Sequence, residues 1–254
     1  NITSTNGGSA LLQDDYFLNA HFSGDSDDST QISGVSTLDG RNYGTAINSG
    51  GVTLAADSST TVLGSLVVNG VLALAPSASD GQTNLYIRGA VALSGSGTVV
   101  LNSGGLGAYI AGAPGTSGDT LSNSATIEGA GYIGAGDGSL TFTNNADGVV
   151  NANVSGGTLT LNTGNQIVNV GTLEATDGGT LNINDSLYML AGMVSAVGGS
   201  STPTIVNVNA FANGGGFSAV GSGAQININA DTTTTTLQGD DLGVIAVSGR
   251  TLTD

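Results

Sequence analysis

Cysteine, tryptophan and lysine are absent from this sequence of 254 residues, and charged residues of either sign are few. Without cysteine the chain can form no disulfide framework, thiol nucleophile or zinc–thiolate site. The three arginines stand against 19 acidic residues, which leaves a formal net charge of -16 at pH 7. Because no basic cluster offsets this charge, nucleic acid is excluded as a partner and anionic membrane surfaces are disfavoured.

Long apolar runs and aromatic residues are also scarce. No segment has 18 consecutive apolar residues, so the sequence predicts no membrane-spanning helix. Aromatic residues make up 4% of the chain, too few to anchor an ordinary globular core. Yet 39% of the residues are hydrophobic, 43 are glycine, and the mean hydropathy of +0.18 argues against a disordered coil. The composition therefore predicts a folded protein built from small side chains.

Internal repeats are the strongest signal in the sequence. The segment Gly156–Asn162 recurs as Gly178–Asn184, and looser copies follow at Ile205–Asn209 and Gln225–Asn229. Each copy alternates apolar with small polar residues, which is the period of a strand with one face buried. No segment keeps a helical period over three turns, so helical repeats are excluded.

Short strands that recur at regular intervals between Gly, Asn and Asp turns predict an all-β fold. The fold we expect is a right-handed parallel β-helix (solenoid) with about 20–22 residues per coil over residues 46–254. Equivalent residues would then stack from coil to coil, apolar ones inside and amides in hydrogen-bonded ladders outside. The predicted amide ladder comprises Asn182, Asn184, Asn207, Asn209, Asn227 and Asn229.

Residues 1–45 differ in composition and are predicted to form an N-terminal tail and an atypical cap, because the open end of a β-helix needs cover. The alternative is that this segment contacts a second subunit, with the apolar C-terminal stretch as its partner in a homo-oligomer or head-to-tail filament. A further alternative is that the chain is part of a longer protein whose next coil covers the end. The candidate subunit-contact residues are Leu11, Leu12, Tyr16, Phe17, Phe22, Val244, Ile245 and Val247.

Residues 121–187 resemble the repeat arrays of bacterial surface adhesins, namely autotransporter passenger regions and filamentous-haemagglutinin-like proteins. The shared pattern is Asn-x-Gly/Ala-Thr-Ile/Leu-Glu-Gly/Ala, found at Asn123–Gly129 and Asn169–Ala175 and followed downstream by Gly-Gly-Thr-Leu segments. The resemblance implies a secreted or cell-surface adhesin that binds a surface polysaccharide or a host-cell receptor. It specifies fold better than function, because such repeats also occur in secreted enzymes and structural filaments.

Catalytic residues are not evident. A polysaccharide lyase or hydrolase needs carboxylates in different environments at close range, with basic groups in the same cleft. Here the arginines are far apart at Arg41, Arg88 and Arg250, and many acids lie in Asp-Gly turn dipeptides. The lone His21 lies among aromatic residues, as expected for a packed position. We therefore expect a structural or adhesive protein and no enzyme, with a secreted polysaccharide-cleaving enzyme as the alternative.

Calcium is the one cofactor that the sequence leaves open. Asp25, Asp27 and Asp28 could supply several of the oxygen ligands that calcium prefers. The spacing lacks the glycine and terminal glutamate of a helix–loop–helix calcium site, so a solvated acidic loop is the alternative.

An ice-binding β-solenoid is a further alternative. Thr141 and Thr143 recur as Thr158 and Thr160 in the next repeat, which would give a flat threonine array if the two pairs stacked. Later repeats carry asparagine in place of threonine, which interrupts such an array.

Added salt should stabilise this protein slightly. Its predicted core and ladders depend little on ion pairs, while salt screens the repulsion within a chain of net charge -16. Thermal melts at low salt and at about 0.5 M NaCl test this. A lower melting temperature at high salt would show that ion pairs dominate the electrostatics.

Overall fold

Alternating apolar and polar residues build every coil of the computed structural model, which is a parallel β-solenoid of about 10 turns. The predicted all-β solenoid is therefore confirmed. No helix in the described part of the chain is long and apolar enough to cross a membrane. The structure describes residues 1–4, 7–25, 28–76, 81–102, 107–199, 201–234, 236–240, 242–248 and 251–253, with the side chain of residue 252 excepted.

The strands are β1 (Ile2–Thr3), β2 (Ser9–Gln13), β3 (Tyr16–Leu18), β4 (His21–Ser23), β5 (Ser29–Ser33), β6 (Val35–Ile47), β7 (Gly51–Leu54), β8 (Ser59–Val68), β9 (Val71–Leu74), β10 (Thr83–Ser94), β11 (Thr98–Leu101), β12 (Ala108–Gly112), β13 (Asp119–Asn123), β14 (Thr126–Gly129), β15 (Gly131–Ile133), β16 (Leu140–Asn144), β17 (Val149–Ala152), β18 (Thr158–Leu161), β19 (Ile167–Asn169), β20 (Thr172–Ala175), β21 (Thr180–Ile183), β22 (Leu187–Val197), β23 (Thr204–Val208), β24 (Ala212–Val220), β25 (Ala224–Ile228), β26 (Thr232–Thr233), β27 (Thr236–Gly239), β28 (Val244–Val247) and β29 (Leu252–Thr253).

These strands form three parallel ladders, one on each side of the solenoid. Face 1 comprises β1, β4, β6, β8, β10, β13, β16, β19, β22, β24, β26 and β29. Face 2 comprises β2, β5, β7, β9, β11, β14, β17, β20, β22, β24 and β27. Face 3 comprises β3, β6, β8, β10, β12, β15, β18, β21, β23, β25 and β28. Long strands such as β6 and β10 bend at a corner and belong to two faces.

Coil length varies more than the repeats predict. Ile2 pairs with Phe22, whereas Leu93 pairs with Asn123, so the second of these coils is half as long again as the first. The coil length expected from the repeats therefore describes only the shorter coils. Extra residues lie at corners, outside the stacked core, where loops of different length cost little.

The N-terminal segment continues the ladders. β1, β2 and β3 pair in parallel with β4, β5 and β6, so the described strands of residues 1–45 form the first coils, where composition predicts a tail and a cap. The domain boundary after residue 45 stays a prediction. Phe22, Ile32 and Leu38 in this segment are fully buried and extend the core. The physical reason is that strand alternation persists there although the composition changes.

Apolar residues stack in rows along the interior. On face 3 one row of buried side chains contains Ile110, Ile133, Leu161, Ile183, Val208 and Ile228. Successive members are one strand spacing apart, about 4.8 Å. Each such side chain contributes roughly 1.5–3 kcal/mol on burial, so the rows order a chain with few aromatic residues.

A buried amide ladder, which the sequence analysis did not predict, runs along the corner between faces 1 and 2. Asn123, Asn144 and Asn169 have no exposed surface. The side-chain amide of Asn123 donates to Asn144 Oδ1, and that of Asn144 donates to Asn169 Oδ1, at 2.9 Å each. Asn144 also donates to the carbonyl oxygens of Gly148 and Thr172. The asparagine of the adhesin-like pattern is therefore the corner residue that pairs one coil with the next.

Gly129, the last residue of the first copy of the pattern, lies close to the preceding coil. Gly129 adopts a φ of +115°, and a Cβ at that position would collide with the carbonyl oxygen of Leu101 in the preceding coil. The pattern thus encodes a corner, a strand and a close approach of two coils.

The predicted outer amide ladder is confirmed, and it consists of two rows on face 3. Asn227 donates to Asn207, and Asn207 to Asn182, at 2.8 Å each. The parallel row of Asn184, Asn209 and Asn229 repeats these bonds at 2.8 Å.

We predict that Asn144→Ala destabilises the fold by about 2 kcal/mol or more, because it leaves buried acceptors without donors. Asn207→Ala, the middle member of an outer row, is the matched control and should cost under about 1 kcal/mol because water can replace the lost bonds. Urea unfolding followed by circular dichroism measures both. Equal losses for the two variants would contradict the importance of the buried ladder.

Candidate binding surface

The candidate subunit-contact residues differ in accessibility. Leu11 and Tyr16 in the first coil are exposed, as are Val244 and Val247 in β28. Leu12, Phe17 and Ile245 are partly buried against the core. Phe22 is 1% exposed and packs edge to face against Phe17, so it belongs to the interior of this chain. The head-to-tail contact stays a prediction, with the exposed residues as its candidates.

Tyr16 also takes part in a contact within the chain. Its hydroxyl donates to the buried carboxylate of Asp39, which Arg41 holds through Nε at 2.9 Å and Nη2 at 2.6 Å. The hydrogen bonds from Arg41 and then Tyr16 hold the pKa of Asp39 well below its usual range. The carboxylate is therefore ionised, and its bonds fasten the first coil to the next at this corner.

The corner after Asp39 borders an open groove of about 580 Å³ on face 1. Tyr43 on the rim of the groove is 88% exposed. Most of the other side chains that line the groove are small. The lining residues are Gly40, Arg41, Asn42, Tyr43, Gly44, Gly64, Ser65, Val67, Ala90, Val91, Ala92, Thr120 and Ser122.

The proposed calcium ligands are only partly placed. Asp28 is buried, and its two carboxylate oxygens accept from the amides of Gly8 at 2.9 Å and Asp25 at 2.6 Å. Asp25 is exposed, and Asp27 lies outside the described residues. Within the described ranges, no three acidic or histidine side chains lie close enough to hold a metal ion. The turn contacts account for the burial of Asp28, and calcium binding stays a prediction.

A stacked tyrosine pair forms the most distinctive feature of face 3. Tyr109 and Tyr132 occupy equivalent positions of β12 and β15, with ring centroids 4.5 Å apart and planes inclined by 8°. Burial raises the pKa of the Tyr109 hydroxyl. A Cβ at Gly107 would lie 3.2 Å from an edge atom of each ring, so the backbone there closes one side of the stack.

Beside this pair lies a cup, which we call the tyrosine cup, of about 250 Å³. Its lining residues are Gln82, Asn84, Tyr86, Tyr109, Ala111, Gly112, Pro114, Ala135 and Asp137. Asp137 Oδ1 accepts from the amide of Ser139 at 3.0 Å and from its hydroxyl at 2.7 Å, and these bonds lower the pKa of Asp137. Both of these bonds from Ser139 are made to Oδ1, and neither is made to Oδ2.

The sequence analysis missed this cup, although a signal was present. A Tyr-Ile dipeptide begins at Tyr86, Tyr109 and Tyr132, so the dipeptide recurs at two equal intervals. Because the first of these coils is longer, Asn84 pairs with Tyr109 and Tyr86 lies further along the strand. The unequal coil therefore places Tyr86 beside the stack rather than within it.

A second missed feature is a pair of glutamates on face 2. Glu128 pairs with Asn151, which pairs with Glu174, so the two glutamates occupy positions two strand spacings apart, roughly 10 Å along the ladder. Asn151 lies between them on a flat sheet face and accepts from the Thr176 hydroxyl at 3.2 Å. Asn151, whose side chain is hydrogen-bonded to Thr176, therefore lies between the two glutamates. Burial raises the pKa of Glu174.

The threonine pairs do not stack on one another. Thr141 and Thr143 belong to β16 on face 1, whereas Thr158 and Thr160 belong to β18 on face 3. Successive repeats in sequence had suggested one array, but consecutive strands of one coil occupy different faces. The flat array that an ice-binding surface would need is not formed by these residues.

Comparisons with known proteins yield a structural likeness only. No protein-family model matches the chain, and no curated protein sequence matches it. A solved structure that the comparison returns is the crystal structure of a TibC-catalysed, hyper-glycosylated fragment of TibA. It is 15% identical with a TM-score of 0.38, and the alignment covers 100% of this chain and 98% of that one. The surface of this chain itself must therefore carry the evidence for its function.

We predict that Glu174→Gln raises the melting temperature at pH 7. Since the folded-state pKa of Glu174 is raised, its ionised form opposes folding above that pKa, and the variant removes this cost. The gain should vanish near pH 3, where the wild-type carboxyl is protonated in both states.

Glu128→Gln is the matched control, because it removes the same charge from the same row of face 2. Differential scanning calorimetry of both variants at the two pH values separates local burial from net charge. An equal gain for both variants would assign the effect to net charge alone.

Proposed function

We propose that this chain is an extracellular, non-enzymatic β-solenoid rod that serves in adhesion at a bacterial cell surface. The observation that carries this proposal is the continuity of the three ladders, which run through about 10 turns. At about 4.8 Å per turn the rod is roughly 50 Å long. Such a rod presents three long, rigid faces whose side chains recur at a regular spacing.

The outer chemistry of the rod supports a role in recognition. Amide rows on face 3 present hydrogen-bond donors and acceptors at fixed positions, and the tyrosine cup interrupts this polar surface. A net charge of -16 opposes anionic ligands. Neutral surface polysaccharides and receptors with neutral glycans therefore fit the rod best.

Location and the absence of catalysis are parts of the same proposal. The pattern at Asn123–Gly129 supports export because it resembles the repeats of bacterial surface adhesins. The polysaccharide-cleaving alternative needs two carboxylates that face one cleft, whereas Glu128 and Glu174 lie two strands apart on a sheet face with Asn151 between them.

The test combines adhesion with turnover. Beads coated with the purified chain should adhere to polysaccharide-coated or cell-coated surfaces in a flow chamber, whereas beads carrying the same mass of heat-unfolded chain should detach. Incubation of the folded chain with the same polysaccharides should release neither reducing ends nor unsaturated products. Sustained product release would overturn the non-enzymatic role, and equal detachment of both bead types would overturn adhesion.

A further inference from the structure

We propose that the tyrosine cup binds one hexopyranose ring of a neutral glycan, with Tyr86 and Tyr109 as its aromatic walls and Asp137 as its hydrogen-bond acceptor. This inference deepens the proposed adhesive function and rests on it. It names a ligand class and a binding site on a surface where the repeat pattern alone does not distinguish one coil from another.

The Tyr109 wall of the cup is held in place by its neighbour. One face of the Tyr109 ring is covered by Tyr132 at a centroid distance of 4.5 Å. This distance is close to the strand spacing, so the rings stack along the axis of the solenoid and the other face of Tyr109 is directed toward the preceding coil. In that coil Asn84 pairs with Tyr109, and Tyr86 lies two positions further along the strand; both line the cup. A ring held in this way loses little conformational freedom when a ligand packs against it.

The floor of the cup is shallow because its residues are small. Ala111 and Gly112 end β12, and a Cβ at Gly112 would collide with the Ser139 hydroxyl. A volume of about 250 Å³ lies just below the range of drug-sized pockets, which suits a single ring rather than an extended ligand. The cup is open to the outer face, so the remainder of a glycan chain can leave it in either direction.

The polar groups of the cup suit a polyhydroxylated ligand without charge. The bonds from Ser139 to Oδ1 lower the pKa of Asp137 and keep it ionised at neutral pH, and Oδ2, which takes no part in them, can accept from a ligand hydroxyl. Gln82 and Asn84 add amides that both donate and accept. An anionic sugar would be repelled by Asp137 and by the net charge of -16. A pyranose ring can pack its apolar face against a tyrosine ring while its hydroxyls form hydrogen bonds with the polar side chains of the cup.

The probes for the test are neutral hexaoses of gluco, manno, galacto and N-acetylgluco configuration, with hexagalacturonate as the anionic comparison. Titration calorimetry and tyrosine fluorescence both report binding, and the absence of tryptophan keeps the fluorescence signal specific to six tyrosines. The variants are Tyr86→Ala and Asp137→Asn, neither of which removes the Tyr109–Tyr132 stack. Tyr188→Ala is the matched control, since Tyr188 is a half-exposed tyrosine of face 1.

We expect at least one neutral hexaose to bind the wild-type chain and hexagalacturonate to bind more weakly. Tyr86→Ala and Asp137→Asn should each weaken the binding about tenfold, as loss of one ring contact or one charged hydrogen bond implies. Tyr188→Ala should leave it unchanged. Absence of binding by all neutral hexaoses, stronger binding of hexagalacturonate, or equal affinity of all variants would each overturn the proposal.

The two proposals fail separately. Beads that adhere while the purified chain binds no neutral hexaose would overturn the tyrosine cup as a glycan site and leave the adhesive rod standing. Hexaose binding that depends on Tyr86, with beads that do not adhere, would support the site and overturn adhesion.

Discussion

The stacking of each residue on its equivalent one coil away is the constraint on which the rest of this structure depends. At a separation of about 4.8 Å, whatever occupies one position interacts with the same position above and below it. Identical charges would repel there, whereas aliphatic side chains, amides and aromatic rings attract their own kind. The low charge, the amide ladders and the Tyr109–Tyr132 pair therefore share one physical cause.

Corners relieve this constraint and create the concave surfaces. A strand that stays in register cannot lengthen, but a corner can, so coils of unequal length share the same ladders. The groove beside Tyr43 and the tyrosine cup both lie where strands of unequal coils turn. Polar side chains hold corners in place, Asp39 beside the groove and Asn144 at the corner between faces 1 and 2.

The rod combines a repetitive framework with local departures from repetition. The framework supplies stability through buried rows and the buried amide ladder, and it supplies three flat outer faces. Recognition by such a rod needs positions that differ from their neighbours, because a uniform row offers no preferred place to a ligand. The shift of Tyr86 along its strand relative to Tyr109 is such a position.

The sequence by itself determined the all-β solenoid, its strand alternation and the outer amide ladders, because the alternation within a strand and the recurrence of similar segments are local properties of the chain. It also carried the equal spacing of the Tyr-Ile dipeptides, but not the consequence of that spacing. Only the tertiary structure decided which residues share a face and a register, since this depends on the summed lengths of strands and corners. For that reason the buried ladder of Asn123, Asn144 and Asn169, the pairing of β2 with β5 in the first coils and the tyrosine cup emerged only when the coils were stacked.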